Sequence, residues 1–513
     1  MREPAGPGLV HHWIERAASR DPDKPYIVFA DDGRILSYGD LLAATGRISA
    51  FLSKLGIGAN DRVALLANNS IEHLLVYLGT LVHGATICTV HAEINRNQLT
   101  NILAALKPRL AVFEEALKLD AALSAAATSA LPLGSRNDQR GESFFAAVNR
   151  MEAANVAAQG VRPRDSAVIL YTSGTTARPK GVVLSFQELL SNTGPTAEAF
   201  GMTAQERIYD FRSFNWCSAQ TLSALPTLER GATLILGSRF SRSRFFDHIR
   251  RYGATIAAGN PTTIHLLLEG EETLSVREVP TLRFVTSSSA PLSAEDWRRF
   301  EDRFGIRVSQ AYGCSEAGWI AAIAGEHRRI GTVGRPLAYH RLAIVSATGE
   351  PLPPGEIGAI EIGGLGDNPY RHLGDDGTVT VSDRGRLKTG DLGFLDEEGH
   401  LHITGRVKEL IIRGGVNISP AEIDAALLQA PDVVDAASVG VPDDVYGEEV
   451  VAFVVLRPGS ALEAAAILDH CAAVLPAYKA PKEIILSQAL PRSERGKLDR
   501  KALVRVWQKR HSR

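Results

Sequence analysis

The chain has 513 residues, 45% of them hydrophobic and 22% charged, and its 56 Lys plus Arg nearly balance 58 Asp plus Glu for a formal net charge of -2. That length excludes a single compact core and predicts a large domain, itself divisible, joined to a smaller one. The charge balance excludes a chain-wide electrostatic drive toward nucleic acid or an anionic membrane, so any anionic ligand must be gripped locally.

From the N-terminus, MREPAGPGLVHHWIERAASRDPDKP holds acids and prolines but no apolar run of signal-peptide length. No later stretch reaches transmembrane length, so a cytoplasmic protein with no integral membrane segment is expected. Apolar residues recur at helical spacing from Tyr38 to Leu55 and stop at Gly56, after which Arg62 to Ala67 reads as a short buried strand. Ser70 is placed to cap a helix through Leu81, and Ala85 to Val90 reads as the next strand. This βαβα order predicts parallel sheet covered by helices. Ala125 to Glu142, small and polar without a period, is expected to be a surface connection.

The rhythm changes after Gly405. KELIIRGGV reads as strand, and Ser419-Pro-Ala-Glu422 has the spacing of a capping box opening a helix through Leu428. Strands DAASVGV and EEVVAFVVL follow, then a helix around Ala461 to Leu475 and a strand KEIILSQAL, a compact α+β unit. The cysteines Cys88, Cys217, Cys314 and Cys471 are far apart, which argues against zinc and against a disulfide framework.

The stretch richest in chemistry is Tyr171-Thr-Ser-Gly-Thr-Thr-Ala-Arg-Pro-Lys180-Gly181, between the strand-like Ala167 to Leu170 and a helical run from Phe186. Ser/Thr hydroxyls and successive backbone N–H groups can wrap phosphate oxygens, and glycine permits close approach. The loop is not a Walker motif, because Lys180 stands between Pro and Gly instead of between Gly and Ser/Thr. An ordinary surface turn is the bland alternative, and the whole eleven-residue string argues against it.

Tyr171 to Gly181 resembles the signature of the acyl-CoA synthetase, nonribosomal-peptide adenylation and luciferase superfamily, and further motifs of that superfamily follow in order along nearly the whole chain. The resemblance implies an α/β fold: a large N-terminal domain of parallel-type sheets covered by helices, residues 1–405, and a small mobile α+β C-terminal domain, residues 406–513, with a hinge at Lys408. It assigns ATP binding to Thr172, Ser173, Gly174, Thr175, Thr176 and Lys180, and the adenine side to Ser288, Ala290 and Pro291 within Ser287–Pro291. Ala311-Tyr-Gly-Cys-Ser-Glu316 supplies Tyr312 and Gly313 near adenine, Ser315 near the α-phosphate and Glu316 as a magnesium ligand, a hard oxygen donor suited to that ion.

In Lys388-Thr-Gly-Asp391, the resemblance gives Asp391 the ribose hydroxyls, and Arg406 the ribose or phosphate region. Lys497, in Arg495-Gly-Lys-Leu-Asp499, is implied to place its charge between the acid carboxylate and the α-phosphate. Catalysis thus falls to Lys497, Thr175 and Glu316. The acyl pocket is implied to comprise Trp216, Cys217, Asn260, Ser287, Gln310, Cys314 and Trp319, and the CoA thiol is implied to enter beside Gly414 and Gly415.

The expected activity is ATP- and Mg²⁺-dependent ligation of a carboxylic acid to CoA through an acyl-AMP, releasing AMP and pyrophosphate. Loading of a separate carrier protein is the alternative, and a homodimer is left open. Two local strings depart from the superfamily pattern. Asp210-Phe-Arg-Ser-Phe-Asn-Trp-Cys-Ser-Ala219 lacks the frequent Pro-x-Phe-His, with Asn215 or Trp216 in its place, and Gly415-Val-Asn417 replaces Gly-Glu-Asn. Arg212 could pair a second carboxylate of the acid, but a solvated side chain is the expectation, as arginines mostly are exposed. The pocket's mix of polar and bulky groups implies a small or medium, polar or aromatic acid, in the style of the crotonobetaine/carnitine-CoA ligase-like branch.

Overall fold

The computed structural model describes residues 6–91, 94–117, 127–153, 160–172, 180–270, 276–323, 328–363, 370–381, 386–492 and 498–511. The chain divides into two compact units, Met1–Arg341 with Gly363–Leu387, and Leu342–Ile362 with Lys388–Arg513. Residues 342–362 and 388–405 thus pack with the second unit, whereas the sequence reading ends the large domain at 405.

The first unit is built on two large sheets. One runs, in spatial order, Arg335–Pro336, Gly318–Ala322, Arg307–Cys314, Phe284–Ser287, Ile256–Ala257, Arg207–Asp210, Thr233–Leu236, Pro25–Phe29 and Ile35–Ser37. The strands from Arg307–Cys314 to Pro25–Phe29 are mutually parallel. The second sheet orders Val379–Val381, Arg371–Leu373, Lys180–Ser185, Ser166–Thr172, Thr86–Val90, Arg62–Leu66, Leu110–Phe113 and Ser129–Pro132.

Helices Tyr38–Lys54 and Ile71–His83 share one core with residues of both sheets: Ile48, Leu52, Leu74 and Leu78 pack with Ile27 and Leu234 of the first and Val63 and Ile87 of the second. Burial from both sides explains why every residue of Ile71–His83 is buried. Close approach of the two helices depends on Gly79, where a Cβ would lie 2.7 Å from the Ile48 side chain. The first of these helices starts at a full capping box between Ser37 and Asp40, and Ser70 accepts from the His73 amide at the start of the second.

Three expectations are corrected. Within the stretch taken for a surface connection, Ser129–Pro132 is a strand parallel to Leu110–Phe113, a pairing with a partner too distant for local pattern to reveal. Lys180–Ser185 is also a strand, antiparallel to Ser166–Thr172, so the phosphate-loop candidate joins two strands before the helix Phe186–Ser191 begins. The run Val182-Val-Leu184 favours that pleated, buried state. Ser419 makes no capping bond to the helix Pro420–Leu427, because its hydroxyl donates to the Thr404 carbonyl instead.

The second unit holds a sheet of Arg341–Val345, Gly358–Gly363, Arg386–Leu395 and Leu401–Arg406. A further sheet runs Val416–Ile418, Ile411–Arg413, Gly447–Leu456 and Val433–Asp443, with Glu483–Leu486 parallel to Gly447–Leu456. Helices Pro420–Leu427 and Ala464–Val474 bury Ile423, Leu427, Ile467 and Cys471 against this sheet. On its other face Leu503, from Arg500–His511, packs with Val439, Val451 and Phe453.

Candidate functional site

In the first unit, parallel strands end together at Asp210, Ala257, Ser287 and, in register with Ser287, Gln310. The carboxyl edge of such a sheet is where open α/β folds place ligands. The chain leaves this edge into Phe211–Ala219, into Gly259–Asn260 and into Ser288–Pro291, so these three segments and Gln310 share one edge. Asn260 caps the helix Pro261–Leu268, its side chain accepting from the Thr263 amide. Ser288 is buried, and Ser289 takes the left-handed φ of 74°, turning the chain so that Ser289 and Pro291 are exposed and Ala290 half-buried.

Arg212 corrects the sequence reading. It is only 4% exposed, and its Nε and Nη2 donate to Asp210 Oδ1 and Oδ2 at 3.0 and 2.7 Å. Asp210, fully buried, also accepts from the Arg212 amide at 2.9 Å and Ser223 Oγ at 2.5 Å. A desolvated pair of this kind is tolerated because geometry and extra hydrogen bonds complete it. Arg212 Nη1 reaches Ser288 Oγ at 3.4 Å, tying the end of one strand to the loop after another. The Asp-x-Arg spacing at a strand end was the sequence signal for this pair.

Arg307–Cys314 turns back antiparallel into Gly318–Ala322, and the hairpin carries the Tyr312–Glu316 motif. Gly313 must be glycine, since a Cβ there would run into the Gly318 carbonyl on the facing strand. Glu316 sits in the turn, its side chain 25% exposed, with His372 Nε2 3.7 Å from its Oε1. Burial alone would raise the Glu316 carboxyl, but His372, the turn's own amide and Cys314 outweigh burial and hold it below the usual range, so it is ionised at neutral pH.

Sequence reading missed the clamp on this turn. Asn192 Nδ2 donates to the Ala317 and Trp319 carbonyls at 3.3 and 3.4 Å, His340 Nε2 to the same two at 3.1 Å each, and the Tyr339 hydroxyl to Trp319. These residues, with Thr221, Glu188 and Tyr370, line a cavity of about 40 Å³ beside Glu316. Burial pushes His340 down to about 4, so its ring is neutral.

Trp216 stacks near His91 with ring centroids 6.3 Å apart, and Trp319 is buried against Phe200. The buried Cys217 thiol is pushed up to about 12 and Cys314 is likewise raised by burial, so neither is a nucleophile. Ser287 Oγ, Gln310 Oε1 and Trp319 Nε1 are buried without a hydrogen-bond partner among the described residues. Ser315 is half-buried in the turn. Thr172 and Lys180 are facing partners in the strand pair, whereas Ser173, Gly174, Thr175 and Thr176 lie outside the described residues.

In the second unit, Asp391 and Arg406 face each other on adjacent strands, with Arg406 Nε 2.9 Å from Asp391 Oδ1. Asp391 is buried and Arg406 about half exposed. Lys408 is exposed in a short helical turn, Val407–Glu409. Gly414 and Gly415, with φ of 57° and 81°, form the tight turn between Ile411–Arg413 and Val416–Ile418, a conformation that itself calls for glycine. Lys497 lies outside the described residues, and Arg492 pairs with Leu498 across that segment. Among the described residues no group of three or more His, Cys, Asp or Glu could hold a metal, and no helix is long and apolar enough to cross a membrane.

Two family models match the chain: AMP-binding enzyme over residues 14–366 and AMP-binding enzyme C-terminal domain over residues 422–497. A sulfoacetate–CoA ligase of Cupriavidus necator is 34% identical, covering 95% of this chain and 96% of its own. An indoleacetate–CoA ligase of Aromatoleum aromaticum is 32% identical, also covering 95% and 96%. The crystal structure of ATP-bound MatB from Rhodopseudomonas palustris superimposes with a TM-score of 0.87 at 28% identity, covering 98% of this chain and 99% of that one.

Proposed function

The chain belongs to the AMP-binding enzyme family, in the acyl-CoA synthetase branch of the adenylate-forming superfamily, and from that membership we propose how its residues divide the work of an AMP-forming acid–CoA ligase. The reaction has two halves. The acid carboxylate attacks the α-phosphorus of ATP, forming acyl-AMP and expelling pyrophosphate; the CoA thiol then attacks the acyl carbon, forming the thioester and releasing AMP. The match of both family models in their expected order carries this reading, and the relatives' names favour CoA over a carrier protein as acceptor.

In the first half-reaction Thr172, Ser173, Gly174, Thr175, Thr176 and Lys180 cradle the departing pyrophosphate. Ser288, Ala290, Pro291, Tyr312 and Gly313 hold the adenine, Ser315 the α-phosphate, and Asp391 and Arg406 the ribose. The ionised, partly exposed Glu316 would hold a magnesium ion, a hard cation suited to its oxygens, and the ion would neutralise triphosphate charge. The clamp of Asn192, Tyr339 and His340 supports this assignment, since it fixes the turn that presents the carboxylate. Lys497 brings its ammonium between the two reacting anions, and catalysis is positioning and charge stabilisation without a protein nucleophile.

Rotation at Lys408, with residues 406–513 moving as the small domain, then replaces Lys497 by the face bearing Gly414 and Gly415, beside which the thiol enters. A cytoplasmic setting, with free acid and CoA as partners, fits unpaired cysteines. The test separates the halves. Lys497→Ala lowers pyrophosphate release roughly 10²–10³-fold yet still forms thioester from supplied acyl-AMP, and Lys408→Pro shows the converse. Equal loss of both halves in both variants, with folding intact, would refute the scheme.

A further inference from the structure

The two ligases compared act by name on acids as different as sulfoacetate and indoleacetate, so the acid of this chain has to be read from its own pocket. Ser287 and Gln310 are neighbours in register on parallel strands and lie 0% and 5% exposed at the sheet's carboxyl edge. Among the described residues Ser287 Oγ and Gln310 Oε1 have no partner. At the same edge the buried Arg212 spends Nε on Asp210 and Nη2 on Asp210 and the Ser218 carbonyl, while Nη1 makes one long contact, 3.4 Å to Ser288 Oγ, and keeps a hydrogen in reserve. A hydroxyl, an amide and a guanidinium N–H thus stand with unused capacity where buried polar groups are ordinarily satisfied.

From this we infer that the acid carries an oxygen function, hydroxyl, carbonyl or oxyanion, at its far end. This inference rests on the ligation reading above. An unsubstituted alkyl tail would leave the Ser287 and Gln310 groups unpaired after expelling any water from them, whereas an oxygen function completes them; the Gln310 amide can present either its oxygen or its nitrogen. Asp210 cancels the charge of Arg212, so the edge offers hydrogen bonds to an oxygen without requiring that it be anionic. Sites built to bond a substrate's polar group reject the analogue lacking it far more strongly than apolar pockets reject a methylene.

The experiment measures pyrophosphate release and acyl-CoA formation with length-matched acids: 3-hydroxypropanoate against butanoate, and succinate against pentanoate. The expected kcat/KM favours the oxygenated member of at least one pair by about a hundredfold or more. Ser287→Ala and Gln310→Leu each shrink that ratio about tenfold or more, and Ser287→Ala does so without lowering Tm, because it removes an unpaired hydroxyl from the fold. Preference for one pair over the other tells a hydroxyl from an anionic terminus. Turnover of the alkyl acids at least as fast, or an unchanged ratio in both variants, overturns the inference while the ligase reading stands. If none of these four acids yields pyrophosphate or thioester the inference fails, and the ligase reading fails with it only if a broad acid panel, indoleacetate included, also releases no pyrophosphate.

Discussion

Arg212→Leu isolates the buried ion pair beneath the carboxyl edge. The substitution removes two of the donors to Asp210 and its counter-charge, leaving the carboxylate with the residue 212 amide and Ser223 Oγ in a site 0% exposed. Removing one partner of such a pair costs about 3–5 kcal/mol. The first unit spans roughly 370 residues, and at about 2.1 cal/mol/K per residue its unfolding entropy is near 0.8 kcal/mol/K. The expected drop in Tm is therefore about 4–6 °C. Asp210→Leu alone strands the guanidinium and behaves alike, whereas the double variant, which strands neither charge, recovers at least half of the loss. Thermal unfolding followed by near-ultraviolet circular dichroism gives the three values. Single variants within about 1 °C of the parent, or a double variant losing the sum of both, would show that the pair is not the desolvated couple described.

Asp391→Asn raises the KM for ATP about tenfold or more in the pyrophosphate assay, since the carboxylate proposed to hold the ribose loses its charge and one acceptor. Arg406→Ala shifts the same KM with little change in Tm, because an ion pair whose arginine is 48% exposed contributes under about 1 kcal/mol. Acid sensitivity resides partly in buried imidazoles: burial depresses His73 and His340 to about 4 from the ordinary 6.5 and lowers His83 and His248 as well. Between those values the unfolded chain binds more protons than the folded one, so stability is complete above pH 6.5 and falls as pH drops toward 4. Replacing His73 with Leu flattens the Tm-against-pH curve in that window, and an undiminished slope would contradict the burial argument.

Local pattern sufficed where a segment's own residues decide its state. Ser70 capping its helix, Gly56 following the end of Tyr38–Lys54, and the alternation of strand and helix could all be read directly. Pattern failed where a distant partner decides. Ser129–Pro132 becomes a strand only beside Leu110–Phe113, and Ser419 loses its capping bond because the Thr404 carbonyl is nearer to hand. Arg212 reversed a composition-based expectation, because average exposure says nothing about a carboxylate two residues earlier that turns inward with it. At the candidate site the positions were legible as motif strings, but the clamp of Asn192, Tyr339 and His340 was not, since it joins segments far apart in the chain through backbone carbonyls.

The hairpin of Arg307–Cys314 and Gly318–Ala322 puts Gln310, Tyr312, Glu316 and Trp319 on a single stiff lever, hinged on glycines that tolerate no side chain. Changes at Trp319 or Gln310 will therefore also be felt at Tyr312 and Glu316, the positions proposed to meet the nucleotide and its magnesium. Directed evolution of this scaffold should score acid preference and nucleotide affinity together and seek compensating changes at the Asn192 and His340 end of the lever.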